Sequence, residues 1–224
     1  MATKVDIVNL ALSGLGSKQT IQDIESDQSV EARTARLHYS VALLTCLSYA
    51  NWSFATTWAT SAKLADDPPG DWAYMYAQPA NNVKVIEIID SLNSRRNRPA
   101  KFVKANHNGQ IVYLTDTEAP VWRYVFKNEN PATYTPQFVD ALAAQLSSRM
   151  AMPLTRKVDL VKSAQDTYAR LIEIADAADA NDQMTLEEPD FTAPWLEARG
   201  YADSSQRFLY TDADGNIQEM VGKL

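Results

Sequence analysis

The chain has 224 residues, 46% of them hydrophobic, and a formal net charge of -7. That length fits one domain with extensions, and the hydrophobic share suffices for a real core. A sequence pI near 4.9 argues against a general nucleic-acid binder, the single cysteine rules out an intramolecular disulfide, and no apolar run reaches the ~20 residues of a membrane span.

The opening residues lack a basic run followed by an apolar one, so no signal peptide is expected and synthesis in a reducing cytoplasm is. Val5, Val8, Leu12 and Leu15 recur at helical spacing and predict a helix over 5–15, closed by Gly14 and Gly16. A loop through Ile21 and Ile24 leads to Asp27, a good N-cap for a second helix over 28–50. Its core face is expected to be Val30, Leu37, Val41 and Leu44, widened by Leu43 and Leu47, with Cys46 a buried, inert thiol. Trp52, Phe54 and Trp58 then read as an extended exit, and with Trp72 as core or interface anchors.

The middle reads as β-structure, over about 83–126. Asp66 to Asp71 is a loop. Val83 to Ile89 is rich in β-branched residues, and Asn108-Gly109 joins two short runs as a tight hairpin turn. Val121 to Phe126 alternates as a half-buried strand does. These predict one small antiparallel sheet of three or four strands. Helical periodicity returns over 136–152, with Thr135 as cap, Pro136 in the first turn and an inward stripe of Phe138, Leu142, Leu146 and Met150. Pro153 ends or kinks this helix. A last helix over 156–180 turns Val158, Val161, Tyr168, Ile172 and Ala175 inward. The expected class is α+β, mainly α: a four-helix bundle over 1–180, a small inserted antiparallel β-element, and an extended C-terminal arm over 181–224.

The arm holds nine acids against three bases, a net of -6, while residues 1–180 are almost neutral. It also carries Phe191, Trp195, Leu196, Tyr201, Phe208, Leu209 and Tyr210. Disordered solvating tails usually lack aromatics, and so short a segment rarely buries enough apolar surface to fold alone. The arm is expected to pack on its own body, on a neighbouring subunit or on another protein, which points to an assembly component.

Four stretches carry a family resemblance. They are Val8-Asn9-Leu10-Ala11-Leu12 through Gly14-Leu15-Gly16; Asn51-Trp52-Ser53-Phe54-Ala55; Tyr76-Ala77-Gln78-Pro79-Ala80-Asn81-Asn82-Val83; and Pro120-Val121-Trp122-Arg123-Tyr124, followed by Tyr134 and two long helices. In order and spacing this resembles the head-to-tail adaptors of short-tailed bacteriophages, the tail tubular protein A family, over nearly everything before residue 180. Two departures are Gln78, where the family often has an aliphatic residue, and the arm, which matches least. The resemblance implies a virion protein of the neck, a homo-oligomeric, twelvefold ring under the portal protein. It implies that the ring continues the DNA channel for packaging and ejection, receives the tail nozzle (a tail tubular B-like protein) and lies near the tail fibres. In related adaptors the C-terminal arm engages the portal, and this arm, with Phe191, Trp195, Leu196, Tyr201, Phe208 and Tyr210 as its partner-binding candidates, looks suited to that.

Double-stranded DNA should pass through such a ring without specific binding, because a basic lumen would retain it by counterion release. Asp159, Asp166 and Glu173 recur every seven residues on the last helix, and Asp176 and Asp179 extend the acidity. They line a lumen or form a solvated face tempered by Lys162 and Arg170. Arg95, Arg96, Arg98, Lys101 and Lys104 gather after the first predicted strand. They meet an acidic partner or DNA phosphate, or form a solvated loop. Tyr210 to Gly215 faintly resembles a calcium loop, but its first and twelfth positions lack carboxylates, so a polar turn is expected. His38 and His107 stand away from any triad or metal motif, and Glu187-Glu188 lacks a rigid setting. No catalytic residue, metal or cofactor is expected. The competing readings are a virion-associated cell-wall hydrolase, which needs two carboxylates at a fixed separation, and a monomeric helical binding module.

Overall fold

A computed structural model describes residues 2–90, 100–182, 206–211 and 217–222. The chain divides into two units, Met1–Gln183 and Met184–Leu224.

Helix α1 (Lys4–Gly14) begins at a capping box, in which the Thr3 hydroxyl accepts from the Asp6 amide at 3.2 Å and the Asp6 carboxylate accepts from the Thr3 amide at 2.9 Å. The Thr3 hydroxyl also donates to the Asp6 carboxylate at 2.8 Å, and this bond, with that from the Thr3 amide, holds the Asp6 carboxyl below its usual range. The helix closes in a Schellman motif: Ser17 N–H bonds to the Leu12 carbonyl and Gly16 N–H to that of Ser13, with Gly16 at φ 72°. Helix α2 (Val30–Tyr49) is capped by Ser29, whose hydroxyl accepts from Ala32 N–H. Asp27, the expected cap, lies two residues early and instead accepts from the Ser29 amide at 2.8 Å. Helix α3 (Pro136–Thr155) starts as expected, with Thr135 as cap and Pro136 in the first turn. Pro153 does not break it. The helix runs two residues further, and Arg156 at φ 57° turns the chain into α4 (Val158–Asp182) through a two-residue connection.

Helix α3 is the axis of the helical layer and packs against α1, α2 and α4. Phe138, Leu142, Leu146 and Met150 are all fully buried, as the periodicity predicts, and Ala141, Ala143, Ala144, Ser147 and Ala151 are buried beside them. Small residues let the neighbours come close. The Ser147 hydroxyl donates to the Ala11 carbonyl at 2.8 Å, and a Cβ on Gly14 would lie 3.2 Å from that hydroxyl. Trp52, fully buried after α2, donates its indole N–H to the Cys46 carbonyl at 2.9 Å and meets Phe138 edge-on.

The expected four-helix bundle with one small sheet is corrected here. A 3-10 turn (Ser53–Ala55) follows α2, and among the described residues six strands come next: β1 (Thr56–Thr60), β2 (Tyr74–Ala77), β3 (Asn82–Asp90), β4 (Phe102–His107), β5 (Gln110–Thr115) and β6 (Pro120–Phe126). They form two three-stranded antiparallel sheets, ordered β1-β6-β3 and β2-β5-β4. The fold is a mixed α/β one with substantial sheet. The reason is an aromatic second core. Tyr76 and Tyr113 of one sheet pack against Ile88, Trp122 and Tyr124 of the other, with ring centroids 5.1 Å apart for Tyr113–Trp122. Val125, on the other face of β6, joins the helical core with Val83 and Ile86 packed on it. The unit is layered helices, sheet, sheet. Asn108 (φ 51°) and Gly109 (φ 81°) form the expected tight turn between β4 and β5.

In the second unit, β7 (Gln206–Thr211) pairs antiparallel with β8 (Ile217–Gly222), Gln206 opposite Gly222 and Thr211 opposite Ile217. The expected extended arm therefore contains a β-pair, and Phe208 and Tyr210 lie on its first strand.

Candidate interaction surfaces

The most informative surface is the outer face of α2. Val30, Leu37, Val41 and Leu44, expected in the core, are 55%, 71%, 48% and 37% exposed. The buried face is the opposite one, of Ala32, Ala35, Tyr39, Ala42, Leu43, Cys46 and Leu47. At 3.6 residues per turn the two sets lie on opposite sides of the cylinder. The helix is apolar on both, and the alanine-rich side, which permits closer approach, won the core. From Leu37 to Tyr49 the sequence holds no Asp, Glu, Lys or Arg. An outer helix face without charge is unusual for a solvated one. The signal was present in the sequence as a second stripe at spacings of seven, four and three.

Helix α4 presents the acidic stripe as expected: Asp159, Asp166 and Glu173 are all exposed. Among the described residues none of them makes an ion pair within 4.0 Å, Lys162 and Arg170 notwithstanding. Val158, expected to face inward, is 55% exposed, while Ile172 and Ala175 are buried. Asp179 does not extend the acidic face. It is buried, accepts from the Ser53 amide at 2.9 Å and the Ser53 hydroxyl at 2.6 Å, and so caps the 3-10 turn after α2. Its spacing from Ile172 and Ala175, seven and four residues, puts it on the buried seam. Nearby, Lys84 on β3 donates to the Ser48 carbonyl at 3.3 Å. Burial pulls its pKa down, against the opposing pull of Asp176.

A groove of about 240 Å³ runs between α1, α3 and α4, lined by Leu10, Ala143, Ala144, Leu160, Ala164 and Leu171, with Asp140 at one end. Small residues on α3 and α4 open it, and Leu10 is 48% exposed on its rim. On the first sheet, Trp58, Arg123 and Glu87 are neighbours across three strands. Arg123 lies 5.5 Å from the Trp58 ring centroid and pairs with Glu87 at 2.8 Å. The tryptophans thus divide: Trp52 is core, Trp72 packs partly buried beside Met75, Val112 and Leu114, and Trp58 is half exposed.

Of the basic cluster, Lys101 and Lys104 are exposed around β4, while Arg95, Arg96 and Arg98 lie outside the described residues. Phe191, Trp195, Leu196 and Tyr201 also lie outside them, as do Glu187-Glu188 and most of the calcium-like loop. His107 Nε2 sits 3.2 Å from an Asp66 carboxylate oxygen at the exposed hairpin, and His38 is half-buried on α2. Among the described residues there is no group of three or more His, Cys, Asp or Glu placed to hold a metal, and no helix is long and apolar enough to cross a membrane. Burial pushes the Cys46 thiol up to about 12, as befits an inert thiol. No protein-family model matches the chain, and no curated protein matches it.

Proposed function

We propose that this chain is a virion structural protein, a head-to-tail adaptor of a short-tailed bacteriophage. Twelve copies form a ring under the portal protein, continue the DNA channel and receive the tail nozzle. The observation that carries the reading is the apolar outer face of α2, uncharged from Leu37 to Tyr49, a surface an isolated subunit leaves in water and an assembly covers. The order of the four resembling stretches supports it. So does the acidic face of α4, which suits a wall that DNA must slide past, since acids near the duplex offer its phosphates no counterion-releasing contact. The test is to mix the full chain with its cognate portal protein and record mass and projection images. A ring of this chain on one face of the portal is expected; a chain that stays unbound and monomeric overturns the reading.

The acidic face gives a second test. Asp159→Lys, Asp166→Lys and Glu173→Lys together are expected to slow DNA ejection from assembled particles and to create salt-sensitive DNA binding. Unchanged ejection kinetics would remove the stripe from the channel wall.

A further inference from the structure

The outer ridge of α2 has a counterpart on the same helical layer. From Val30 to Leu44 the ridge is ~21 Å long, and the α4 wall of the α1–α3–α4 groove, from Leu160 to Leu171, is ~17 Å long, both at ~1.5 Å per residue. The ridge is branched aliphatic, while the groove is lined by small residues (Ala143, Ala144 and Ala164, with a glycine, two serines and a threonine) beside Leu10, Leu160 and Leu171. Its volume of about 240 Å³ exceeds the ~150 Å³ that holds a benzene ring in an engineered cavity, so it admits one or two aliphatic side chains. Large side chains on one surface and small ones on the other are what ridges-into-grooves packing needs.

Charge agrees with shape. Exposed Asp140 stands at one end of the groove, and exposed Arg33 stands beside Val30 at one end of the ridge. Neither makes an ion pair among the described residues. Arg36, the other arginine of that turn, is already engaged by the Glu25 and Asp27 carbonyls.

We propose that the α2 ridge of one subunit seats in the α1–α3–α4 groove of a second copy of this chain, with Arg33 of one meeting Asp140 of the other. The ridge faces away from α3, and the groove is formed by α3 with α1 and α4, so the two surfaces differ and the contact is head-to-tail. Such a contact propagates, and it closes when the rotation allows. One helix face of this length, ~10 Å wide, covers about 200 Å² per partner, so about 400 Å² in total. A stable pair needs roughly 1,000 Å² or more. The contact is thus weak in a pair and is reinforced where a ring closes. That last step rests on the adaptor reading; the pairing of ridge and groove does not.

The experiment is thiol cross-linking of the full chain with a short bis-maleimide. Cys46 is fully buried and does not compete. Leu37→Cys places a thiol on the ridge and Ser163→Cys one on the groove rim; both sites are exposed. The double variant is expected to give a ladder of dimers, trimers and higher species, and each single variant at most a trace of dimer. Leu37→Glu in the Ser163→Cys background with a second thiol at Val41 is expected to abolish the ladder. Abundant dimers from Leu37→Cys alone would mean ridge meets ridge and would overturn the proposal, as would a double variant that never passes monomer. A ladder from a chain that does not bind the portal would sink the adaptor reading alone. Portal-bound rings that fail to cross-link would sink this contact alone.

Discussion

Helices α2 and α3 have the same length, 20 residues, and opposite uses for their apolar residues. Helix α3 spends them inward on three neighbours, so that Phe138, Leu142, Leu146 and Met150 are at 0% exposure. Helix α2 spends only one face on the core and leaves Leu37 at 71%. The difference teaches that apolar periodicity announces contact without saying with what. A stripe facing the body and a stripe facing another chain read alike.

The comparison breaks first at its α3 end. Phe138 touches Trp52, Phe54 and Tyr134 at centroid distances of 4.9, 4.8 and 5.1 Å. Phe138→Ala is expected to cost about 3–5 kcal/mol, from lost burial plus the cavity left behind. Urea denaturation reads it, and a cost under about 1 kcal/mol would mean that α3 is not the axis.

The next largest effect separates the inner and outer sides of α4. Asp179→Ala removes the acceptor of the Ser53 amide and hydroxyl and is expected to cost about 1–3 kcal/mol, the penalty of leaving such donors unsatisfied. Asp166→Ala, on the exposed stripe, is expected to stay within about 0.5 kcal/mol. Equal effects would mean that the two acids share one environment.

Where the sequence was legible, the physics was local. The Asn108-Gly109 turn, the Thr135 cap and the α3 stripe are each set within a few residues, and each lies where expected. Four features were not legible. Strands β1 and β2 are five and four residues long, too short for alternation to stand out, and their stability comes from pairing with β6 and β5, which is distant in sequence. The true core face of α2 was hidden because Ala32, Ala35 and Ala42 look less hydrophobic than Val30, Leu37 and Val41. Close approach to α3 depends on small side chains, which a hydropathy pattern undervalues. Asp179 was grouped with the outer acids by charge, although its spacing from Ala175 assigns it to the seam. The groove was invisible for the same reason as the α2 face, since alanines on α3 and α4 make it by what they lack.

The inner face of α2 also carries two titratable groups that burial perturbs. Burial pushes Tyr39 from its ordinary 10.0 to about 12 and Cys46 from 9.0 to about 12, and burial raises Tyr168 as well. Folding therefore favours the protonated forms. Their contribution is complete below about pH 9 and is lost as pH rises through about 12. The urea midpoint is expected to hold at neutral pH and to fall by about pH 11. A flat profile across that window would mean these groups are solvated, and that the alanine-rich side of α2 is not the buried one.

The smallest effect on stability sharpens the comparison most. A glutamate at Leu43, fully buried, strands a charge in the core, so Leu43→Glu is expected to give no cooperatively folded chain. Leu37, six residues earlier and about 120° round the same helix, is 71% exposed, so a glutamate there meets mostly water in the free subunit. Leu37→Glu is expected to shift the unfolding free energy by less than about 0.5 kcal/mol, and its sign is toward neutral because an exposed leucine gains nothing from burial it does not have. The same substitution is expected to remove self-association and portal-dependent ring formation, because burying a carboxylate in a groove lined mainly by small and aliphatic residues, with no basic side chain, costs far more than the leucine contributed. A variant with wild-type stability and no assembly assigns the ridge to a partner. Loss of stability together with assembly would return Leu37 to the subunit's own core and undo the distinction between the two helices.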